Sequence, residues 1–444
     1  MLNEEIQMNQ TKTKFKQTEI GMIPEEWEVK RIGEVAEVIG GGTPSTKNPE
    51  YWDGDIAWIT PKDLSAFKFR YIKRGERNIT KKGLENSGAK LLPKGTVLLT
   101  TRAPVGYLAI ASNPVTTNQG FRNLIPNNKT ISEFLFYLLR KNVDFLKSNA
   151  GGTTFGELSG SRLKELEFPF PPLPEQRAIA KILSDLDAKI ELNQQMNRTL
   201  EAIGQAIFKQ WFVDFEFQNE KDKPYKSSGG EMVYNEELGK EIPKGWKVRE
   251  LKEIVSRLGP GTNFQPKRTG AGIPFLNVKN ISNGFLDLSD VKYISKEDYD
   301  WVHKSWKPEE HDVLISRIGT LGNVAVIRKE DLPLSVHYNI IDIKPGEVNY
   351  AFLYFLLTSE FFQKEYHLRK VQTVQEYITI ENVEKIKVAL PNDKSLGEMS
   401  KIFLNLLNKM EINYASAKTL SSLRDTLLPK LMSGKIRVPV EAWA

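Results

Sequence analysis

The chain has no cysteine in its 444 residues. That excludes a disulfide framework and any thiolate metal site, and it fits a reducing compartment, so a cytoplasmic location is expected. Histidine is scarce: His303, His311, His337 and His367 all lie in the second half, and none stands in a His-Glu-x-x-His spacing, which argues against a zinc hydrolase. No apolar run reaches the length needed to cross a bilayer. Residues 1–17 are polar and mixed in charge, without the apolar core of a signal peptide. A phosphate-cradling loop is missing too, because Ser433-Gly434-Lys435 is followed by Ile436 and lacks the upstream glycine. The Asn-Pro-Pro-aromatic or Asp-Pro-Pro-aromatic sequence of an amino-methyltransferase does not occur, and Glu-x-Lys tripeptides such as Glu28-Val29-Lys30 arise by chance in a chain that is 27% charged. These absences lead to the expectation of a soluble protein with no catalytic centre and no metal site of its own.

What the chain does have is a second copy of itself. Ile23-Pro24-x-x-Trp27-x-Val29 recurs as Ile242-Pro243-x-x-Trp246-x-Val248, an offset of 219, and Lys181-Ile182 recurs as Lys401-Ile402, an offset of 220. Between these ends the offset drifts, with Ile56 to Lys62 matching Ile273 to Lys279 at 217 and Thr101-Arg102 matching Ser316-Arg317 at 215. Similar ends around a variable middle point to a shared scaffold that presents two unlike readers.

Each copy reads as an α+β region followed by one long helix. Strands are expected at Ile56 to Thr60, Thr96 to Thr101 and Tyr107 to Ala111, then a helix at Ile131 to Leu146; the second copy repeats this at Pro274 to Val278, Asp312 to Ser316, Asn323 to Ile327 and Tyr350 to Gln363. Gly40-Gly41-Gly42 and Gly319-x-x-Gly322 read as turns. After these regions the apolar positions fall on heptads: Ile179, Leu186, Leu200 and Ile207 with Ile182, Met196 and Ile203, and in the second copy Met399, Leu406, Leu420 and Leu427 with Ile402 and Leu423. Eight of the twenty aligned pairs from Lys181/Lys401 to Leu200/Leu420 are identical, so the helices are the better repeated part. A helix of about 35 residues is about 50 Å long, more than a domain needs for its own core, which suits a spacer. Asn193 and Asn413 interrupt the two seams at matched places. If the helices pack antiparallel, the two amides are expected to pair and set the register; the alternative is an asparagine tolerated on a wet seam. The resulting divisions are a polar tail (1–17), a first α+β domain (18–172), a first helix (173–215), a charged Gly/Ser-rich linker (216–235), a second α+β domain (236–392), a second helix (393–434) and a tail (435–444).

The net charge is +6 and unevenly placed. From Lys62 to Lys90 there are nine basic and three acidic residues, whereas Lys279 to Lys307 has five of each. The excess points to an anionic partner or to a solvated basic face. Candidate contacts to nucleic acid are the matched pairs Arg102/Arg317 and Lys62/Lys279, together with two loops: Thr153 and Thr154 in the first copy, and Gln372, Thr373 and Gln375 in the second. A guanidinium beside a tight turn at a strand end suits a phosphate or a guanine edge; the alternative is an arginine paired with a carboxylate inside its own domain.

Phe170-Pro171-Pro172-Leu173-Pro174-Glu175-Gln176-Arg177-Ala178-Ile179-Ala180, with Ile207 to Phe215 after its helix, resembles the central conserved region of the specificity (S) subunits of type I restriction-modification systems. Leu427-Leu428-Pro429-Lys430-Leu431-Met432-Ser433-Gly434-Lys435-Ile436 resembles that family's C-terminal conserved region, and Gly21-x-Ile23-Pro24-x-x-Trp27 its entry to a target recognition domain. Pro391-Asn392-Asp393-Lys394 departs from the Pro-Pro-Leu-x-Glu-Gln pattern at the start of the second helix. The resemblance implies two tandem recognition domains, each reading half of a bipartite asymmetric DNA target, and two helices packed as an antiparallel coiled coil that sets the spacer. It also implies docking of two methyltransferase (M) subunits that bind S-adenosylmethionine, and of restriction (R) subunits that use ATP and Mg. Against this stand two other readings: a fused restriction-modification enzyme with an undetected centre, and a structural adaptor that binds protein only.

Overall fold

The computed structural model describes residues 14–438, apart from 66, 68, 103, 152–155, 283 and 372–374. It divides into two units, Met1–Gln194 with Ala415–Ala444, and Gln195–Tyr414. The division falls inside both long helices, α1 (Leu173–Phe208) and α2 (Asp393–Met432), so each unit combines one α+β domain with part of each helix.

In the first unit, Val97–Thr101 is a strand buried at every position, because an apolar and β-branched run without alternation is suited to being covered on both faces. It sits in the middle of a five-stranded sheet in the order 36–40, 121–126, 97–101, 105–111, 71–72. A second sheet carries Trp52–Ile59 between Thr116–Thr117 and Arg77–Ile79. The second unit repeats the plan with 255–260, 340–345, 313–316, 324–326 in one sheet and 292–294, 273–276, 335–336 in the other. The helices expected at 131–146 and 350–363 are each two: Ser132–Lys141 with Val143–Ser148, and Tyr350–Thr358 with Glu360–Leu368. Asn142 and Ser359 break them, and Ser359 caps the new helix by accepting from the Phe362 amide. Gly41 is more than a turn residue, since a Cβ there would lie 1.9 Å from the Asn118 carbonyl oxygen.

Within each unit the two helix segments run in opposite directions. In the first, Asp187 accepts from Arg424 at 2.6 Å and Asn193 donates to Ser416 at 3.1 Å. In the second, Asn413 donates to Asn197 at 2.9 Å and Asn197 donates to the Met410 carbonyl at 2.9 Å. The expected Asn193 to Asn413 bond is therefore replaced by two others. One helical turn explains it: Asn197 lies four residues beyond Asn193 on the same face, and that is the amide which meets Asn413. Both seam asparagines are buried.

The buried stripe also differs from the expected heptads. Leu183, Asp187, Ile190 and Asn193 are buried in α1, and Phe403, Leu407, Met410, Asn413 and Ala417 in α2. Ile203 and Leu423, expected at the seam, are 43% and 46% exposed. Each segment is wedged between its partner helix and its own domain, as Leu183 shows by sharing a core with Phe134, Phe170 and Leu431, so burial follows two neighbours instead of one seam. Gly204 marks a close approach of helix and domain, where an added Cβ would lie 2.1 Å from the Phe355 ring.

Candidate nucleic-acid interface

The strand end that carries the candidate arginines is built alike in both units. The Tyr107 amide donates to Thr100 Oγ1 at 2.9 Å, and the Asn323 amide donates to Ser316 Oγ at 2.9 Å. The Leu158 amide donates to the Thr101 carbonyl, and the Ile378 amide to the Arg317 carbonyl, both at 3.0 Å. Thr101 and Arg317 are thus equivalent, at an offset of 216, and Arg102 lies one residue beyond. The matched pair read from the sequence as Arg102/Arg317 is corrected by one residue, because Thr101-Arg102 and Ser316-Arg317 share a pattern of types but not a register.

The two arginines also differ in state. Arg317 Nε donates to the Ile378 carbonyl at 3.1 Å, and its half-buried guanidinium has a lowered pKa because burial disfavours the charge. Arg102 keeps 41% of its side-chain surface and approaches Glu157 at 3.8 Å, a carboxylate that also holds Arg122 at 2.9 Å. Arg122 was not singled out from the sequence; its counterpart in strand register is Ile341, so no repeat marks it.

Lys62 and Lys279 do occupy equivalent turns. Thr60 N bonds to the Asp63 carboxylate just as Asn277 N bonds to the Asn280 side chain. Each lysine is paired, Lys62 with Glu76 at 2.7 Å and Lys279 with Asp290. The hydrogen bond to Glu76 raises the pKa of the exposed Lys62. Of the basic stretch Lys62 to Lys90, Arg70 is no surface cation, since its buried side chain lies 3.6 Å from Glu191 of α1, and Arg77 stacks over Trp52 at 3.7 Å.

Thr153, Thr154, Gln372 and Thr373 lie outside the described residues. Their loops are closed alike at the base: Gly151 and Glu157 exchange two backbone hydrogen bonds, and so do Val371 and Tyr377. In the second unit the Gly319 amide donates to the Glu376 carbonyl, which ties the loop base to the strand end.

Around this tie is a cleft of about 370 Å³ that gathers Lys279 and Gln375 with Asn277, Thr320, Asn323 and Asn339. It is polar, cationic at one rim and rich in amides, which suits hydrogen bonding to base edges and backbone. Asn339 Oδ1 is buried, and among the described residues it has no hydrogen-bond donor. Of these amides Gln375 is among the candidates read from the sequence, whereas Asn277, Asn323 and Asn339 escaped it because these positions carry different residues in the two copies.

With this geometry in place the comparisons with known proteins are specific. The family model described as the type I restriction modification DNA specificity domain matches twice, over residues 24–202 and 243–421. The chain belongs to the family of type I restriction-modification DNA specificity proteins. It is 41% identical over 435 residues to the type I restriction enzyme MjaIX specificity subunit of Methanocaldococcus jannaschii, covering 96% of this chain and 97% of that one. It is 26% identical over 471 residues to the HindI specificity subunit of Haemophilus influenzae, covering 93% and 100%. Among solved structures it is similar to a type I restriction-modification S subunit from M. genitalium, with a TM-score of 0.55, 19% identity and coverage of 94% and 98%, a likeness of fold.

Proposed function

We propose that this chain is the DNA sequence-specificity subunit of a type I restriction-modification complex, in which each α+β domain reads one half of a bipartite, asymmetric target. The observation that carries the reading is the doubling itself: two copies of one strand-end and loop-base construction, furnished with different side chains. Two readers on one face of a duplex sit about one helical turn, or roughly 34 Å, apart. In this reading α1 and α2 pack as an antiparallel coiled coil that fixes the unread spacer.

The helices also offer a surface for partners. Leu192 and Leu423 in the first unit, and Ile203 and Ile412 in the second, are large apolar residues between 43% and 62% exposed. They are repeats of one another at an offset of 220. Two equivalent pairs of exposed apolar residues suit two copies of one partner, namely the methyltransferase subunits that bind S-adenosylmethionine; restriction subunits with ATP and Mg complete the nuclease. The chain itself binds no cofactor and is non-catalytic in this reading, and works in the cytoplasm. Among the described residues no helix is long and apolar enough to cross a membrane.

The test is methyl transfer from labelled S-adenosylmethionine to target DNA. The purified chain alone is expected to transfer nothing and to become active when the methyltransferase subunit is added. Transfer by the chain alone would favour a fused enzyme, and failure of the assembled pair to bind any duplex at moderate salt would favour a protein-only adaptor.

A further inference from the structure

The one-residue correction at the strand ends sets Arg102 against Ile318. Thr101 and Arg317 are held alike from both sides: their amides donate to the Gly120 and Asn339 carbonyls, both at 2.8 Å, and their carbonyls accept from the Leu158 and Ile378 amides, both at 3.0 Å. The residue that follows is therefore launched from a fixed backbone in each unit. In the second unit it is Ile318, which lines the polar cleft together with Lys279. By that equivalence Arg102 stands at the matching place in the first unit, whose rim carries Lys62. One unit brings an apolar side chain to this spot and the other a guanidinium.

The guanidinium of Arg102 is exposed and its donors are unclaimed. Glu157 lies 3.8 Å from Nη1, beyond hydrogen-bond reach, and that carboxylate is committed to Arg122 at 2.9 Å. Among the described residues Arg102 makes no hydrogen bond, whereas Arg317 has its Nε engaged by its own domain. Glu157 thus draws the cation toward the loop base without occupying it, and Arg122 offsets the carboxylate charge that would repel a nucleic-acid backbone nearby. Two features favour a base edge over a phosphate as the missing acceptor. Contacts to phosphate carry no sequence information, and the cation common to both units, Lys62 or Lys279, suffices for them, while Arg102 belongs to one unit only. Direct readout needs a side chain on a rigid support, which the two clamps on Thr101 provide. The planar fork of arginine matches the paired acceptors O6 and N7, which guanine alone presents in the major groove.

We propose that Arg102 is a specificity-determining residue that selects a guanine in the half-site read by the first domain, donating to O6 and N7. This rests on the reading that each domain reads one half-site; the half-site of the first domain is the one retained when residues 236–392 are exchanged for those of a relative. The test uses the full chain with its methyltransferase subunits and duplexes in which each guanine of that half-site, on either strand, is replaced in turn. The replacements are 7-deazaguanine, which lacks N7, and hypoxanthine, which keeps N7 and O6 and lacks only the minor-groove amino group. At one guanine the complex is expected to lose about fivefold or more in affinity with 7-deazaguanine and to be indifferent to hypoxanthine. In Arg102→Ala the 7-deazaguanine penalty at that guanine should vanish, while replacements in the second half-site cost what they cost the native complex. The assignment is overturned if no guanine of the first half-site is sensitive to loss of N7, or if Arg102→Ala keeps that sensitivity. It is overturned equally if Arg102→Ala weakens every duplex alike and flattens the salt dependence, the mark of a phosphate contact. A native complex without any sequence preference would overturn the reading of the domain as well.

Discussion

The two units solve one packing problem with opposite chemistry. In the first, Asp187 is buried between the helices and holds Arg424 at 2.6 Å, Tyr137 Oη at 2.6 Å and Arg140 at 3.4 Å. At an offset of 220, Asp187 becomes Leu407 and Arg424 becomes Gly204. There Leu407 is fully buried, in one core with Phe355, and that ring fills the space a side chain at Gly204 would need. An ion cluster and an apolar plug thus occupy equivalent places. A buried ion pair is weak evidence for stability, because apolar replacements of similar volume are often as stable. What the difference does supply is identity: a helix segment from the wrong unit would bring an unpaired charge against an apolar wall.

The largest expected effect breaks this contrast from the charged side. Asp187→Leu leaves Arg424 and Arg140 without their buried partner and is expected to cost about 3–5 kcal/mol in denaturant unfolding. The triple change Asp187→Leu, Arg424→Gly and Tyr137→Phe, which copies the apolar solution, should recover most of that loss. Recovery no greater than from any one added change would show that the two solutions are not interchangeable. From the apolar side, Gly204→Ala drives a methyl group into the Phe355 ring and should cost about 1–3 kcal/mol, with Phe355→Leu in the same chain relieving it.

The buried polar position of the central sheet sharpens the contrast further. Asn123 in the first unit donates to Thr117 Oγ1 and the Ile39 carbonyl, at 2.8 Å and 3.2 Å. Its counterpart Asp342 is buried beside Asp312, and burial first, then the charge of Asp312, raises its pKa from 3.8 to about 7 against the pull of Arg257. The unfolded chain releases this proton near its ordinary value while the folded unit holds it to about 7. The stability of the second unit therefore falls as pH rises through that window and levels off above it. Asp342→Asn, which copies the first unit, should flatten the dependence in thermal unfolding followed across that range; an unchanged slope would remove Asp342 as its source. The smallest effect belongs to the seam amides. Asn193→Leu with Asn413→Leu removes two hydrogen bonds worth about 1 kcal/mol each, offset by the burial of two apolar side chains, and should leave a net change of only about 1 kcal/mol while loosening the register. Spacer length in the methylated motif reports that loosening, and a single unchanged spacer would count against a register role.

How much of this was legible in the sequence depended on how strongly it was repeated. The strands at Val97–Thr101 and Val313–Ser316 and the long helices stood out because their apolar periods recur in both copies. The one-residue error at Arg102 arose where two basic strand ends resemble each other in type, and only backbone pairing fixes the offset. The seam was misplaced because Ile203 and Leu423 are apolar yet exposed, and periodicity does not say which of two neighbours a helix face meets. Asn339 and Arg122 were invisible to a search for matched residues because their counterparts are Gly120 and Ile341. A search for matches finds what the two copies share, and repetition therefore reveals the scaffold better than the residues that distinguish the two domains.

The claim that one domain reads one half-site is tested most directly by methylome sequencing of cells carrying the complete system, in which residues 236–392 are exchanged for the matching domain of a relative with a different target. The account predicts a motif altered in one half only, with the other half and the spacer length retained. A motif changed in both halves, or in neither, would contradict it.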